Sequence, residues 1–143
     1  MSGLVIPVED GRDPAWAVEH AIELYRKEPV RIHLLSVRTP LPKYVARFIP
    51  AAERHGFHHD NGVAAMREAA RRLDAEGIPH RDHVLVGRKA ETIVKFAREN
   101  GCSTIVLEKP AGGLLEGLGL GSIGAQLHHL LPPGDACQIH EGA

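Results

Sequence analysis

Ser103-Thr-Ile-Val-Leu107, followed by Gly112 to Gly124 with the sequence GGLLEGLGLGSIG, decides the fold. A short apolar run bounded by turn signals reads as a buried strand. The glycine-rich stretch reads as a loop, and Ser122 to Leu131 as the helix it opens into. Glycine lets a backbone come close to a ligand, and the free N–H groups of the next helix face an anion there. Strand, glycine loop and helix in this order describe part of an α/β unit built to hold phosphate.

The same alternation continues toward the N-terminus. Leu4-Val-Ile-Pro-Val8 suits a strand buried on both faces. Asp13-Pro14 reads as a helix start, with Asp13 as the cap and Pro14 at the first helical position. Val18, Ala21, Ile22 and Tyr25 recur at helical spacing until Pro29. Val30 to Val37 is a second strand, which Thr39-Pro-Leu-Pro42 prevents from continuing. Between residues 40 and 61 the prolines, Gly56 and Asn61-Gly62 predict an interrupted, protease-sensitive segment. A long helix is expected after it, with Val63, Met66, Ala70 and Leu73 on one face and Gly77 past its end. Pro79 to Val86 is a third strand. Ala90, Ile93, Val94 and Ala97 mark a third helix, and Ala136 to His140 forms a short fifth strand. Strands alternating with helices predict an α/β fold: one doubly wound parallel sheet of about five strands, with helices on both faces. No linker or repeat divides the chain, so residues 1–143 read as a single domain. Ligands of such sheets sit outside the carboxyl ends of the strands, where strand order switches. Here those ends are Val8-Glu9-Asp10, Val37-Arg38 and Leu107-Glu108.

Composition narrows the partners. The 17 basic and 18 acidic residues give a formal charge of -1, which offers no electrostatic case for nucleic acid or an anionic membrane. No apolar run approaches the length of a membrane span, and the N-terminus shows no secretory pattern. Two cysteines, Cys102 and Cys137, are too few for a disulfide framework. A cytoplasmic setting is the expectation.

Three segments resemble the universal stress protein family. Leu4 to Glu9 with Ala17-Val-Glu-His-Ala-Ile22 looks like the family's first strand and helix. Gly87 through Ala97 with Ser103 to Leu107 looks like its third helix and fourth strand. Gly121-Ser122-Ile123 looks like the turn opening its last helix. The resemblance implies a Rossmann-like fold, a role in stress response and a homodimer paired through the final strand. It also implies a nucleotide site. ATP-binding members carry Gly, two residues, Gly, nine residues, then Gly followed by Ser or Thr. In this chain Gly121-Ser122 matches, while Glu108 and Ala111 stand where the two earlier glycines would be. The adenine-side aspartate falls on Glu9, and the second-strand residue lining the adenine pocket falls on Val37. The resemblance therefore implies a candidate nucleotide site from Pro7, Val8, Glu9, Val37, Gly121, Ser122 and Ile123, with ATP or AMP, or no cofactor, as its occupant.

Glu108 opposes a triphosphate. A carboxylate about 4 Å from one phosphate charge costs roughly 1 kcal/mol in water and about 4 kcal/mol at an effective dielectric of 20, and Lys109 offsets part of this. Ala111 adds about 1–2 kcal/mol if that position needs a positive φ. Gly121-Ser122 serves equally as a helix cap with no ligand. Gly119 to Gly124 also spells G-x-G-x-x-G, but too little chain follows it for a dinucleotide unit. His55, His58, His59 and Asp60 have metal-like spacing without the four placed ligands a zinc site requires, so no metal is expected. No nucleophile–base pair stands out, and no catalytic residue is assigned. Trp16 is expected at a rim, and Cys102 in or beside the sheet. Two readings follow: a non-enzymatic dimeric module with a degenerate nucleotide site, or a stress-response switch that binds ATP or AMP.

Overall fold

The computed structural model of the chain describes residues 2–9, 12–40, 47–108 and 123–142, without the side chains at 54, 55 and 57–59. The elements run β1 (Gly3–Pro7), α1 (Ala15–Lys27), β2 (Arg31–Arg38), α2 (Ala51–Ala75), β3 (His80–Val86), α3 (Lys89–Glu99), β4 (Cys102–Leu107), α4 (Ile123–Leu130) and β5 (Gln138–Glu141). All five strands are parallel, in the order β3-β2-β1-β4-β5. Leu4 lies opposite Ile32 on one side, and Val5 lies opposite Ile105 on the other.

The central strand shows why the sheet is covered twice. Strand side chains alternate between faces. Leu4, Ile6 and Val8 pack with Val18 and Ile22 of α1 and with Met66 and Leu73 of α2. Val5 points the other way, into a second cluster with Leu35, Val37, Ile105 and Leu107, closed by Ile93 and Phe96 of α3 and Leu127 of α4. A strand buried on both faces has no polar side, which is why β1 reads as an unbroken apolar run. Cys102 and Cys137 both belong to the second cluster, and burial pushes the Cys102 thiol up to about 11. Trp16 is partly buried against the first cluster and stacks on His20, at a centroid distance of 4.9 Å.

Three expectations need correction. Pro14 is the N-cap of α1 rather than its first helical residue, although Asp13 Oδ1 still accepts from the Ala15 N–H at 3.0 Å. The largest difference is in α2. Pro50 caps a 25-residue helix that begins at Ala51 and passes straight through Gly56 and Asn61-Gly62. The expected interruption therefore fails from residue 51 onward, because packing of α2 against the sheet outweighs the cost of two glycines. On that helix the buried stripe is Met66, Ala69 and Leu73, whereas Val63 is 42% exposed. Residues 41–46 lie outside the described residues, as do the side chains of His55, His58 and His59.

Candidate functional site

Strand order fixes where a cleft opens. The chain passes from β1 to β2 and β3 on one side, then crosses to β4 and β5 on the other. Helices leaving β1 and β4 therefore diverge onto opposite faces, and the gap between them lies at the strands' carboxyl ends. A cleft of about 580 Å³ occupies that gap, a volume usual for small-molecule sites. Pro7, Val8 and Glu9 form its floor at the end of β1, and the Val8 N–H donates to the Leu35 carbonyl at 2.8 Å. Leu107 and Glu108 enter from β4, Pro14 and Ala17 from α1, and Ile123, Gly124 and Gln126 from α4. A small recess beside it, lined by Pro7, Val8, Glu9, Val37, Arg38 and Lys89, brings in β2.

Of the residues singled out from the sequence, Pro7, Val8, Glu9 and Ile123 share the cleft, and Val37 joins the first three in the recess. Gly121, Ser122, Lys109, Ala111 and the glycine-rich segment lie outside the described residues. Glu9 pairs with Arg12 at 3.0 Å.

Glu108 has a definite place. Its Oε2 accepts a hydrogen bond from the backbone N–H of Ala17 at 2.9 Å. Ala17 is the third residue of α1, so this N–H is one of those a helix cannot satisfy internally. The start of α1 is thus held by two carboxylates: Asp13, local in sequence, and Glu108, 91 positions away. Glu141 lies against α4. Its carboxylate lies against Gly124, where an added Cβ would collide with it, and it meets His128 Nε2 at 3.2 Å. Altogether the described lining carries the carboxylates of Glu9, Glu91, Glu108 and Glu141 and the cations Arg12, Arg88 and Lys89. The cations Arg88 and Lys89 stand at the start of α3, and Lys89 also borders the recess with Val37 of β2. Glu108 and Glu141 stand at the ends of β4 and β5.

Comparison with known proteins now has a geometry to meet. The model of the universal stress protein family matches residues 3–132. The chain belongs to the universal stress protein family. A universal stress protein from Lactobacillus plantarum superposes with a TM-score of 0.75 at 14% identity, covering 99% of this chain and 97% of that one. A universal stress protein from Archaeoglobus fulgidus, solved in complex with dAMP, gives 0.61 at 18% identity, covering 99% and 97%. A family protein from Arabidopsis thaliana with AMP bound gives 0.63 at 13% identity, covering 99% and 90%. At these identities the likeness shows a shared fold. Among curated proteins none matches the chain by sequence.

Sequence reasoning missed Arg12, Arg88, Lys89 and Glu141 as lining residues. For three of them a signal existed. Arg88 and Lys89 follow the carboxyl end of β3, and Glu141 ends β5, so the rule that picked out Glu9 and Glu108 reaches them too.

Proposed function

We propose that this single-domain chain, residues 1–143, acts in the cytoplasm in stress response as a non-enzymatic homodimeric module. In this reading its cleft is a degenerate nucleotide site, which keeps a wall for base and ribose and has lost the triphosphate cradle. Pro7, Val8, Glu9 and Val37 are the retained wall, with Gly121, Ser122 and Ile123 at the opening of the last helix. One observation carries the reading: Glu108, bonded to the Ala17 N–H, puts a carboxylate where ATP-binding relatives have glycine. Among the described residues no helix is long and apolar enough to cross a membrane.

Calorimetry tests the reading. ATP should show no micromolar binding to the native chain, and Glu108→Gly combined with Ala111→Gly should raise its affinity. Micromolar affinity in the native protein would overturn the degenerate site. The second reading, a switch occupied by ATP or AMP, draws on the relatives solved with AMP and dAMP. Copurified nucleotide, seen by ultraviolet absorbance and chromatography of the extract, would favour it.

A further inference from the structure

We infer that Glu108 and Glu141 set the specificity of the cleft against phosphate, so that its ligand is an uncharged nucleoside rather than a nucleotide. This rests on the adenine-site reading given above and narrows it to one ligand class.

The N–H groups at a helix start attract anions, and a ligand's phosphate is the usual occupant in an α/β cleft. In this cleft one carboxylate of the chain itself takes a free N–H at the start of α1, and a second lies against Gly124 of α4. Glu108 Oε2 takes the Ala17 N–H at 2.9 Å, and Glu141 is lodged over Gly124 and held by His128 at 3.2 Å. A phosphate entering here would have to displace these carboxylates or lie beside them. Phosphate oxygens only accept hydrogen bonds, as carboxylate oxygens do, so the two offer each other repulsion and no bond. Ribose behaves differently. Its hydroxyls donate, and Glu9, Glu108 and Glu141 are acceptors spread along the same cleft.

The cations do not undo this. Arg12 is engaged by Glu9 at 3.0 Å. Lys89 opens α3 and also borders the recess beside Val37, and Arg88 caps α3 at the cleft. Among the described lining residues, the charged groups at the ends of β4 and β5 are the carboxylates Glu108 and Glu141.

The experiment is calorimetric titration of adenosine and of AMP into the native chain and into Glu108→Gln and Glu141→Gln. Glutamine keeps an amide oxygen for the Ala17 N–H or for His128 and removes the charge. Melting curves establish that each variant is folded, and either one alone suffices. The native chain should bind adenosine about tenfold more tightly than AMP, a difference of ~1.4 kcal/mol. Each substitution should tighten AMP about tenfold relative to adenosine. Tighter binding of AMP than of adenosine by the native chain overturns the inference. So does an adenosine-to-AMP ratio that neither substitution changes, and in both cases the adenine site itself stands. If no form binds either compound, the adenine-site reading falls and takes this inference with it.

Discussion

A methyl group added at Gly62 would lie 2.6 Å from both γ-carbons of Val84, on the neighbouring strand β3. Valine is branched at Cβ and cannot swing aside freely, so the helix would have to move away from the sheet. Gly62→Ala should therefore destabilise the fold by about 1–3 kcal/mol, the usual cost of overpacking. Gly56 lies in the same helix with nothing among the described residues within 4 Å of an added Cβ. There the lower conformational entropy of alanine in the unfolded chain should win, and Gly56→Ala should stabilise by about 0.5–1 kcal/mol. Urea unfolding of the two variants checks this, and a shift of the same sign in both would contradict the packing argument. From the sequence the two glycines look alike, and both read as helix breakers. What separates them is the distance to Val84, a residue from another element. Glu108 carries the same lesson: its clash with phosphate is legible in the chain, but its bond to Ala17 is not.

The pairing of β2 with β3 carries a pH dependence. His33 sits opposite Arg81, two positions from His83, and its Nδ1 meets His83 Nε2 at 3.0 Å. His33 is 6% exposed, and its Nε2 is buried with no hydrogen-bond partner among the described residues. Phe96 of α3 presents its ring edgewise to both imidazoles, at 5.4 and 4.7 Å. Burial lowers the His33 pKa below its ordinary 6.5, and His83, Arg81 and Arg31 lower it further. Burial also lowers His83, with Asp82 opposing and Arg81 assisting. In α1, burial and then His140 lower His20. For these three groups the unfolded chain binds protons more tightly, so their stability is present above 6.5 and lost as the pH falls toward the folded values. His80 has the opposite sign. Burial opposes its charge, but Asp74 at 2.9 Å and Asp82 at 2.6 Å outweigh burial and raise its pKa. Its contribution is full below 6.5 and is lost as the pH rises through the raised value. Melting temperature should therefore fall between about pH 7.5 and about 5.5, and His83→Gln should flatten that slope. A slope unchanged by the substitution would remove the pair from the explanation. The histidines are visible in the sequence, but the strand register that brings His33 to His83 and leaves His80 between two aspartates is not.

In the whole molecule the sheet has two outer edges, β3 and β5, and the proposed dimer uses β5. That strand has four residues, and its one apolar side chain is already committed: Ile139, like Cys137 just before the strand, packs into the second cluster. His140, expected at the seam between subunits, meets His20 Nε2 at 2.9 Å within the chain and so ties β5 to α1. The edge therefore offers mainly backbone hydrogen bonds, each worth about 0.5–1.5 kcal/mol net. Leu114, Leu115, Leu118 and Leu120 of the glycine-rich stretch lie outside the described residues. Light scattering at neutral pH should give a dimer for the intact chain and a monomer with a cooperative melt for a chain ending at Gly134. A dimer that survives the truncation would exclude the tail. The sequence by itself determined the order of elements, the parallel sheet, the two covered faces and the place of Glu108 at the carboxyl end of β4. Those features are written in local signals: unbroken apolar runs, helical periodicity, and glycine and proline punctuation. Only the tertiary structure decided that α2 starts at Ala51, that Glu108 caps α1, that Glu141 lies against Gly124, and that His33 meets His83. Each of these depends on residues that fold closure brings together from distant parts of the chain, and no local pattern encodes such a contact.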